Sequence, residues 1–337
     1  MNPSDDVPLQ QAYDVALLDL DGVVYVGEDP VPHAGAALDA ARAAGMRLAF
    51  VTNNASRTPA TVAQQLASMG VPAHEDEVVT SAQAAARVVA DLVPPGSAVL
   101  VVGGAGLEEA LRERGLVPVR SATEAPAAVA QGYHPDVGWR DLAEGAYALA
   151  TGVPWVASNT DLTIPTPRGP APGNGTLVGV LRTATGREPV VAGKPEPPMH
   201  REAMIRTRAD RPLVVGDRLD TDIEGAIAAG VDSLLVLTGV TGAAGMVRAP
   251  VGLRPTYVAE DLRALALPRS AVLVGAGVRR VAGWEAGVRD RRLWLERPSD
   301  PAADRLDGLR AVCGAVWELD DPAAVDGVED VLSGLGY

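Results

Sequence analysis

Apolar and polar stretches alternate regularly along the first 92 residues. Continuous apolar runs predict buried strands, and alanine-rich runs predict helices. The predicted strands lie at 15–20, 47–52 and 78–80, and the predicted helices at 35–45, 61–69 and 82–92. Strands that alternate with helices are typical of a parallel α/β sheet.

A second alternating set begins after Pro94-Pro95-Gly96. Its predicted strands lie at 98–102, near 136–139 and at 155–158, and its helices at 107–114, 142–150 and 177–183. The first pattern then resumes with strands at 190–192, 213–215 and 233–237 and a helix at 223–229. We therefore predict one α/β domain over 1–81 and 190–267, interrupted by a second α/β domain over 82–189.

The pattern changes again near Ser270. Strands are predicted at 271–274 and 292–296 and helices at 304–312 and 325–332, which gives a small α+β domain over 268–337. A partial acyltransferase-like unit is one interpretation, but the segment has no convincing acetyl-CoA pyrophosphate loop. We expect a noncatalytic unit that packs against the core or a dimer partner. Cys313, in an apolar helical stretch, is expected to be buried.

Composition narrows the functional class. The 337 residues include 29 basic and 43 acidic side chains, for a net charge of −14. A chain this acidic, with no basic cluster, is a poor ligand for nucleic acids and anionic membranes. No apolar run reaches the ~20 residues of a membrane span, the first residues do not resemble a signal peptide, and one cysteine excludes an intrachain disulfide. We expect a soluble cytoplasmic protein.

One basic residue stands apart from the rest. Of the 29 basic residues, 28 are arginine and one is lysine, Lys194. The composition resembles a GC-rich coding bias, which favours arginine on the surface. A lysine that persists under this bias fits a position where a compact ammonium group is needed, and chance survival is the alternative.

Polar motifs follow four of the predicted strands. They are Asp19-Leu20-Asp21, Thr52-Asn53-Asn54, Gly193-Lys194-Pro195 and Gly216-Asp217 with Asp220 and Asp222. Each motif alone also fits a turn at a strand end or a helix cap. Together they place carboxylates and one ammonium group at the carboxyl edge of a parallel sheet, where ligands bind. Carboxylates this close together need a cation between them.

The order of these motifs resembles the haloacid dehalogenase (HAD) superfamily. The 142 residues between Thr52 and Lys194 match the C2-type cap position of that family. Thr52-Asn53-Asn54, Ser158-Asn159-Thr160-Asp161, Pro172-Gly173-x-Gly175 and the Gly193 to Pro197 segment resemble the HAD-IIA branch. That branch includes p-nitrophenylphosphatase-like, phosphoglycolate and glycerol-3-phosphate phosphatases. The resemblance implies a Rossmann-like core, a C2-type α/β cap and a C-terminal extension.

The resemblance also implies catalytic roles. Asp19 would be the nucleophile that forms an aspartyl-phosphate, and Asp21 would act as general acid and base. Asp19, the carbonyl of Asp21 and Asp217 would hold Mg²⁺. Asp222, by family spacing, would orient Lys194 or a metal-bound water, with Asp220 as the weaker candidate.

Binding roles follow from the same resemblance. Thr52, the Asn53 backbone and Lys194 are predicted to bind the phosphoryl oxygens, and Asn54 is predicted to bind phosphate or substrate. Asn159, Asp161 and the loop at 172–175 are candidates for contacts with the leaving group, and ordinary loop structure is the alternative for each.

We expect a Mg²⁺-dependent phosphatase of a small phosphorylated metabolite, glycerol 3-phosphate or 2-phosphoglycolate first. A nucleotide or sugar-phosphate phosphatase is the alternative within the family. A phospho-accepting signalling or scaffold protein is the alternative outside it. The family is also compatible with a homodimer formed through the cap.

Overall fold

The computed structural model describes residues 6–166, 168–300 and 302–337. The chain forms two compact units. The first consists of Met1–Ala49, Met69–Val71 and Ala209–Tyr337, and the second of Phe50–Ser68 and Pro72–Arg208. The domain boundaries at residues 82, 190 and 268 stay predictions.

The strands and helices of the described residues are numbered in chain order. The strands are β1 (Val15–Leu18), β2 (Tyr25–Val26), β3 (Asp29–Pro30), β4 (Arg47–Thr52), β5 (Val78–Thr80), β6 (Ala98–Val102), β7 (Val117–Val119), β8 (Ala128–Gln131), β9 (Trp155–Ala157), β10 (Thr163–Ile164), β11 (Ala171–Pro172), β12 (Val190–Val191), β13 (Pro212–Gly216), β14 (Asp232–Val236), β15 (Tyr257–Ala259), β16 (Arg280–Val281), β17 (Trp284–Arg289) and β18 (Arg292–Glu296). The α-helices are α1 (Leu9–Ala12), α2 (Ala34–Ala43), α3 (Pro59–Ser68), α4 (Ser81–Leu92), α5 (Ala105–Glu113), α6 (Trp139–Ala150), α7 (Asn174–Thr185), α8 (Pro197–Thr207), α9 (Glu224–Ala229), α10 (Ala243–Val247), α11 (Arg269–Val272), α12 (Arg305–Val316) and α13 (Val328–Leu335). None of the helices in the described part of the chain is long and apolar enough to cross a membrane.

The first unit is built on a parallel sheet. Strands β15, β14, β13, β1 and β4 are neighbours in that order. Val15 of β1 lies opposite Pro212, and Leu213 of β13 lies opposite Asp232. All four residues of β1 are buried. A parallel strand covered on both faces has a continuous apolar sequence, which is why the pattern at 15–20 predicts this strand. The predicted α/β class with a parallel core sheet is confirmed.

The second unit contains a further parallel sheet. Its strand order is β12-β9-β8-β6-β7, and the end of β4 pairs in parallel with β5 in the same unit. Helices α6 and α7 cover one face of the five-stranded sheet through a buried apolar cluster that includes Val129, Leu149, Trp155 and Leu181. This unit therefore has its own hydrophobic core.

Two strands of this sheet differ from the expectation. A strand is predicted near 136–139, but this segment is a turn that leads into α6, and the strand of the sheet is β8. Its sequence, Ala-Val-Ala-Gln, has one β-branched residue and no aromatic residue, so composition does not mark it as a strand. The strand predicted at 190–192 pairs with β9 through Val190 and Val156, rather than with the core sheet.

The C-terminal extension shares its core with the rest of the first unit. The antiparallel sheet β16-β17-β18 packs on α12. Trp284, Leu309 and Val312 of the extension belong to the same buried cluster as Leu235 and Met246. Burying apolar surface on both sides of this contact stabilises the unit.

Polar contacts reinforce this attachment. The Trp317 indole donates to the carbonyl of Val247 at 3.1 Å. The buried Arg310 guanidinium donates to the carbonyls of Ser270, Ala271 and Leu273. These bonds hold residues 269–273 in place. Residues 269–272 form the helical turn α11, and Leu273 forms a bridge to β15. The strand predicted at 271–274 is therefore wrong. Cys313 is buried, as predicted.

A buried carboxylate joins three elements of the second unit. Glu202 on α8 is fully buried and accepts hydrogen bonds from Arg87 on α4, from Arg114 after α5 at 2.6 Å, and from Arg206 on α8 at 2.6 Å. Burial alone would raise the pKa of Glu202, but these guanidinium groups outweigh it and hold the pKa below its ordinary value of 4.5. The ionised carboxylate therefore stabilises the contact between α4 and α8.

We expect Glu202→Gln to lower the free energy of unfolding at pH 7 by about 3 kcal/mol, because it leaves three guanidinium groups without their buried counter-charge. A depressed pKa in the folded state gives stability that is complete above pH 4.5 and is lost as pH falls through the folded-state pKa. Urea unfolding at pH 7 and below pH 4.5 measures both effects, and the variant should lose less stability on acidification than the wild type. Glu28→Gln, at an exposed position, is the control. An unchanged stability of Glu202→Gln at pH 7 would contradict this assignment.

Candidate active site

Three carboxylates meet at the carboxyl edge of the first unit's sheet. Asp19 directly follows β1, Asp217 directly follows β13, and Asp222 lies in the π-helical turn Leu219–Ile223. Each side chain offers one oxygen, and these three oxygens lie within 4.8 Å of one another. Asp217 and Asp222 are buried, and Asp19 is half-buried.

The chemistry of this donor set fits a divalent cation. Three carboxylates in so small a space repel one another, and burial makes their ionised forms more costly still. A hard cation such as Mg²⁺ binds carboxylate oxygens and removes both penalties. Asp19, Asp217 and Asp222 are therefore the residues of the described chain that are placed to hold a metal ion.

Backbone groups and two glycines fix the carboxylate of Asp217. Its Oδ2 accepts the Val240 amide at 2.7 Å. A Cβ on Gly22 would lie 2.4 Å from Oδ2, and a Cβ on Gly239 would lie 2.1 Å from it. Gly22 also has φ +87°, which disfavours other residues. Both positions therefore need glycine for the carboxylate to keep its place.

Asp21 and Asp222 lie in different surroundings, and their expected roles stay predictions. Asp21 is exposed and lies in a tight turn closed by a 2.7 Å hydrogen bond from the Gly22 amide to the Tyr25 carbonyl. Its carboxylate is not among the three that meet. Asp222, predicted to orient Lys194 or a metal-bound water, lies within the carboxylate cluster. Asp220 is exposed and pairs with Arg218 at 2.7 Å.

The predicted binding residues of the second unit come together around Asn53. Its side-chain amide donates to the Lys194 carbonyl at 3.1 Å and to Asp161 at 3.2 Å, and its side-chain oxygen accepts the Lys194 amide at 2.8 Å. Asn159 donates to the Asn53 carbonyl at 2.7 Å. One asparagine side chain thus fixes the backbone of Lys194 from both sides.

Lys194 is only 4% exposed. Its Nζ donates to the carbonyl of Val51 at 3.3 Å, which holds the ammonium group beside the end of β4. Thr52 follows directly, and its Oγ1 accepts the amide of Asn54 at 3.1 Å. Since that bond uses a lone pair of Oγ1, the hydroxyl proton of Thr52 remains available as a donor.

Asn54 and the loop at 172–175 have local structural contacts. The Asn54 side-chain oxygen accepts the amides of Ser56 and Arg57 and so shapes the turn before α3. Asn174 donates to the Asn159 carbonyl at 2.7 Å, and the Gly175 amide donates to the Asp161 carbonyl at 2.9 Å. These contacts are those of ordinary loop structure, which the sequence analysis gave as the alternative to contacts with the leaving group.

Sequence reasoning missed Ser81, Gly239 and Val240. The Ser81 hydroxyl donates to the Asn53 carbonyl at 2.6 Å, and Gly239 and Val240 contact Asp217. A serine at the start of a helix and a glycine after a strand have common structural explanations, so no signal in a single sequence distinguishes them.

Comparison with known proteins identifies the family. Residues 16–117 match the haloacid dehalogenase-like hydrolases, and residues 191–265 match a second HAD-hydrolase-like family. A protein named D-glycerol 3-phosphate phosphatase from Mycobacterium tuberculosis is 45% identical over 315 residues, which are 92% of this chain and 87% of that protein. The chain belongs to the haloacid dehalogenase-like hydrolases.

Other members of this family are similar in sequence or structure. A 5′-nucleotidase of Bacillus subtilis is 39% identical, over 68% of this chain and 90% of that protein. The crystal structure of a glycerol phosphate phosphatase from Mycobacterium tuberculosis in complex with magnesium has a TM-score of 0.87 at 45% identity, covering 94% of this chain and 93% of that chain. This crystal structure supports the fold over 94% of the present chain.

The C-terminal extension matches a different family. Residues 281–336 are similar to the GCN5-related N-acetyltransferase-like domain. This match agrees with the acyltransferase-like interpretation of the segment, and it assigns no activity to it.

We expect Gly239→Ala to weaken Mg²⁺ binding by about 10- to 100-fold, because the added Cβ displaces the carboxylate of Asp217. Isothermal titration with MgCl₂ measures this loss. Gly245→Ala in α10 is the matched control, since its Cβ would meet the nearest atom at an ordinary 3.6 Å. Equal Mg²⁺ affinity of Gly239→Ala and the wild type would contradict the placement of Asp217 in the cation site.

Proposed function

We propose that this chain is a Mg²⁺-dependent phosphatase that hydrolyses a small phosphomonoester, with glycerol 3-phosphate as the first candidate substrate. The meeting of Asp19, Asp217 and Asp222 is the observation that carries the proposal. It combines a nucleophile at the end of β1 with the donor set for a hard cation. Membership of the haloacid dehalogenase-like hydrolases supports it.

Asp19 acts as the nucleophile in this proposal. A carboxylate oxygen of Asp19 bonds to phosphorus while the ester P–O bond breaks, and Asp21 gives its proton to the departing alkoxide. Asp21 then takes a proton from a water that attacks phosphorus, which releases inorganic phosphate and restores Asp19. The exposed position of Asp21 supports exchange of its proton with solvent. The bound cation supplies charge neutralisation, so that an anionic carboxylate can approach an anionic phosphoryl group.

Lys194 and Thr52 bind the phosphoryl oxygens in this proposal. Both carry hydrogen-bond donors, and an ammonium group stabilises the negative charge of the transferring phosphoryl group. Asn53 positions Lys194 through its two backbone contacts. Asn159 and Asp161 support Asn53 from the neighbouring loop.

The choice of substrate rests on the relatives. The relative named D-glycerol 3-phosphate phosphatase matches 92% of this chain, whereas the one named 5′-nucleotidase matches 68%. The higher identity, 45% against 39%, favours glycerol 3-phosphate over a nucleotide. Hydrolysis of 2-phosphoglycolate, a homodimer and a cytoplasmic location stay predictions.

A panel of phosphomonoesters tests the proposal. Phosphate release from glycerol 3-phosphate, 2-phosphoglycolate, sugar phosphates, AMP and p-nitrophenyl phosphate is measured with Mg²⁺ and with EDTA. We expect glycerol 3-phosphate to have the highest kcat/KM, and Asp19→Asn to abolish turnover because an amide is a poor nucleophile. Asp220→Asn, at an exposed position outside the carboxylate cluster, is the control and should keep wild-type kcat. Turnover that persists in Asp19→Asn would refute the nucleophile, and a higher kcat/KM for AMP would refute the substrate.

We expect Lys194→Arg to lower kcat by at least about 100-fold although the charge is kept. The larger planar guanidinium does not fit a position that is 4% exposed and set by the Val51 carbonyl. Steady-state kinetics with glycerol 3-phosphate measure the loss, and thermal unfolding checks that the variant is folded. A folded variant with wild-type kcat would show that Lys194 contributes charge alone.

A further inference from the structure

An exposed aromatic ring lies on a glycine in the C-terminal sheet. Trp294 on β18 is directly opposite Gly287 on β17 and is 37% exposed. A Cβ on Gly287 would lie within 2.8 Å of three adjacent indole atoms, Cζ2, Cε2 and Nε1. The missing side chain at Gly287 therefore makes room for the ring. The buried cluster of the extension does not contain Trp294.

Two arginines face each other on the same side of the sheet. Arg289 and Arg292 are opposite each other in register, two residues from Gly287 and Trp294 respectively, so all four positions share one face. Both arginines are exposed, and neither guanidinium has a hydrogen bond or ion pair with any described residue. Like charges directly opposite each other destabilise a strand pair. An anion between them would remove this repulsion.

The turn between these arginines is strained. Asp290 has φ +50° and Arg291 has φ +63°, although neither is glycine. Two-residue hairpin turns of this kind normally use Asn-Gly, Asp-Gly or Gly-Gly, so Asp290 suits its position and Arg291 is the unfavourable residue. Unfavourable backbone conformations that persist are typical of binding sites. The strain, the repulsion and the exposed ring all lie at one end of one hairpin.

Charge and shape at this hairpin favour a small anionic ligand. Arg289 and Arg292 outnumber the one acidic residue of the groove, Asp290, whereas Arg279 and Arg280, at the start of the same sheet, are paired with Glu318 and Glu285. The hairpin groove, lined by Arg289, Asp290, Arg292, Leu293 and Trp294, has a volume of about 590 Å³. This volume lies within the ~300–1,000 Å³ range of small-molecule sites. The strongly acidic remainder of the chain disfavours a nucleic acid.

We propose that the hairpin groove binds a nucleoside phosphate, with its base stacked on Trp294 and its phosphates bound by Arg289 and Arg292. An indole stacks on any nucleobase because every base has a π-face. Guanidinium groups bind phosphate oxygens through paired hydrogen bonds. This site lies in the extension and is independent of the proposed phosphatase activity.

Binding of ADP to the full-length protein tests the site. Isothermal titration in EDTA, without divalent cations, compares ADP with adenosine and with pyrophosphate. We expect Trp294→Leu to weaken ADP and adenosine by about 10-fold and Trp294→Phe to keep most of the affinity, because the phenyl ring can still stack. Gly287→Val should reproduce the loss of Trp294→Leu, because its side chain would occupy the position of the ring.

The arginine variants separate charge from stacking. We expect Arg289→Gln and Arg292→Gln each to weaken ADP and pyrophosphate by about 10-fold and to leave adenosine unchanged. Arg280→Gln, on β16 and outside the groove, is the matched control and should bind ADP as the wild type does. Each variant should remain folded and keep the wild-type rate with glycerol 3-phosphate, and the arginine variants should have a Tm no lower than that of the wild type.

Three results would overturn the proposal. The first is no ADP binding at millimolar concentration. The second is equal ADP affinity of the wild type, Trp294→Leu and Arg292→Gln. The third is tighter binding of a short single-stranded oligonucleotide than of ADP, which would assign the groove to nucleic acid.

Discussion

The repulsion among three carboxylates is the constraint that shapes the candidate site. Asp19, Asp217 and Asp222 lie within one cation's reach at the end of a buried sheet. The register of β1 against β13 sets this meeting, since the Asp19 amide bonds to the Val215 carbonyl at 2.8 Å. A shift of one residue would turn the side chains to the other face. Gly22, Gly239 and the Val240 amide then fix Asp217, so the chemistry depends on close backbone approach as much as on the acids themselves.

Sequence patterns predict the parts of this site that depend on strand ends. The buried strands β1 and β13 have continuous apolar sequences, so the positions of the carboxylates that follow them can be predicted from the sequence. Asp222 is different, because its place depends on the turn Leu219–Ile223. That turn directs Asp222 inward and leaves Asp220 exposed against Arg218. Residue type alone does not rank Asp222 above Asp220, and only the spacing of the family motif favoured Asp222. The same limit applies to β8, whose alanine-rich sequence does not identify a strand.

Long-range side-chain contacts are the part that sequence could not supply. The motif resemblance assigns the backbone of Asn53 to phosphate binding, and the structure adds a contact between its side chain and the backbone of Lys194, 141 residues away. No local pattern encodes such a pair. Composition alone nevertheless identifies Lys194 as a candidate. The chain has 28 arginines and one lysine, and that lysine is buried, where a compact ammonium group fits better than a guanidinium.

The extension has two faces that need separate explanations. Its inner face buries Trp284, Leu309 and Val312 with Leu235 and Met246, so stability of the first unit is sufficient reason for these residues. Its outer face adds nothing to that core. There, the opposed arginines lower stability, whereas the indole covers Gly287 and so has a structural explanation of its own. The opposed arginines are therefore the part of this face that folding does not explain and that the proposed anion-binding site accounts for.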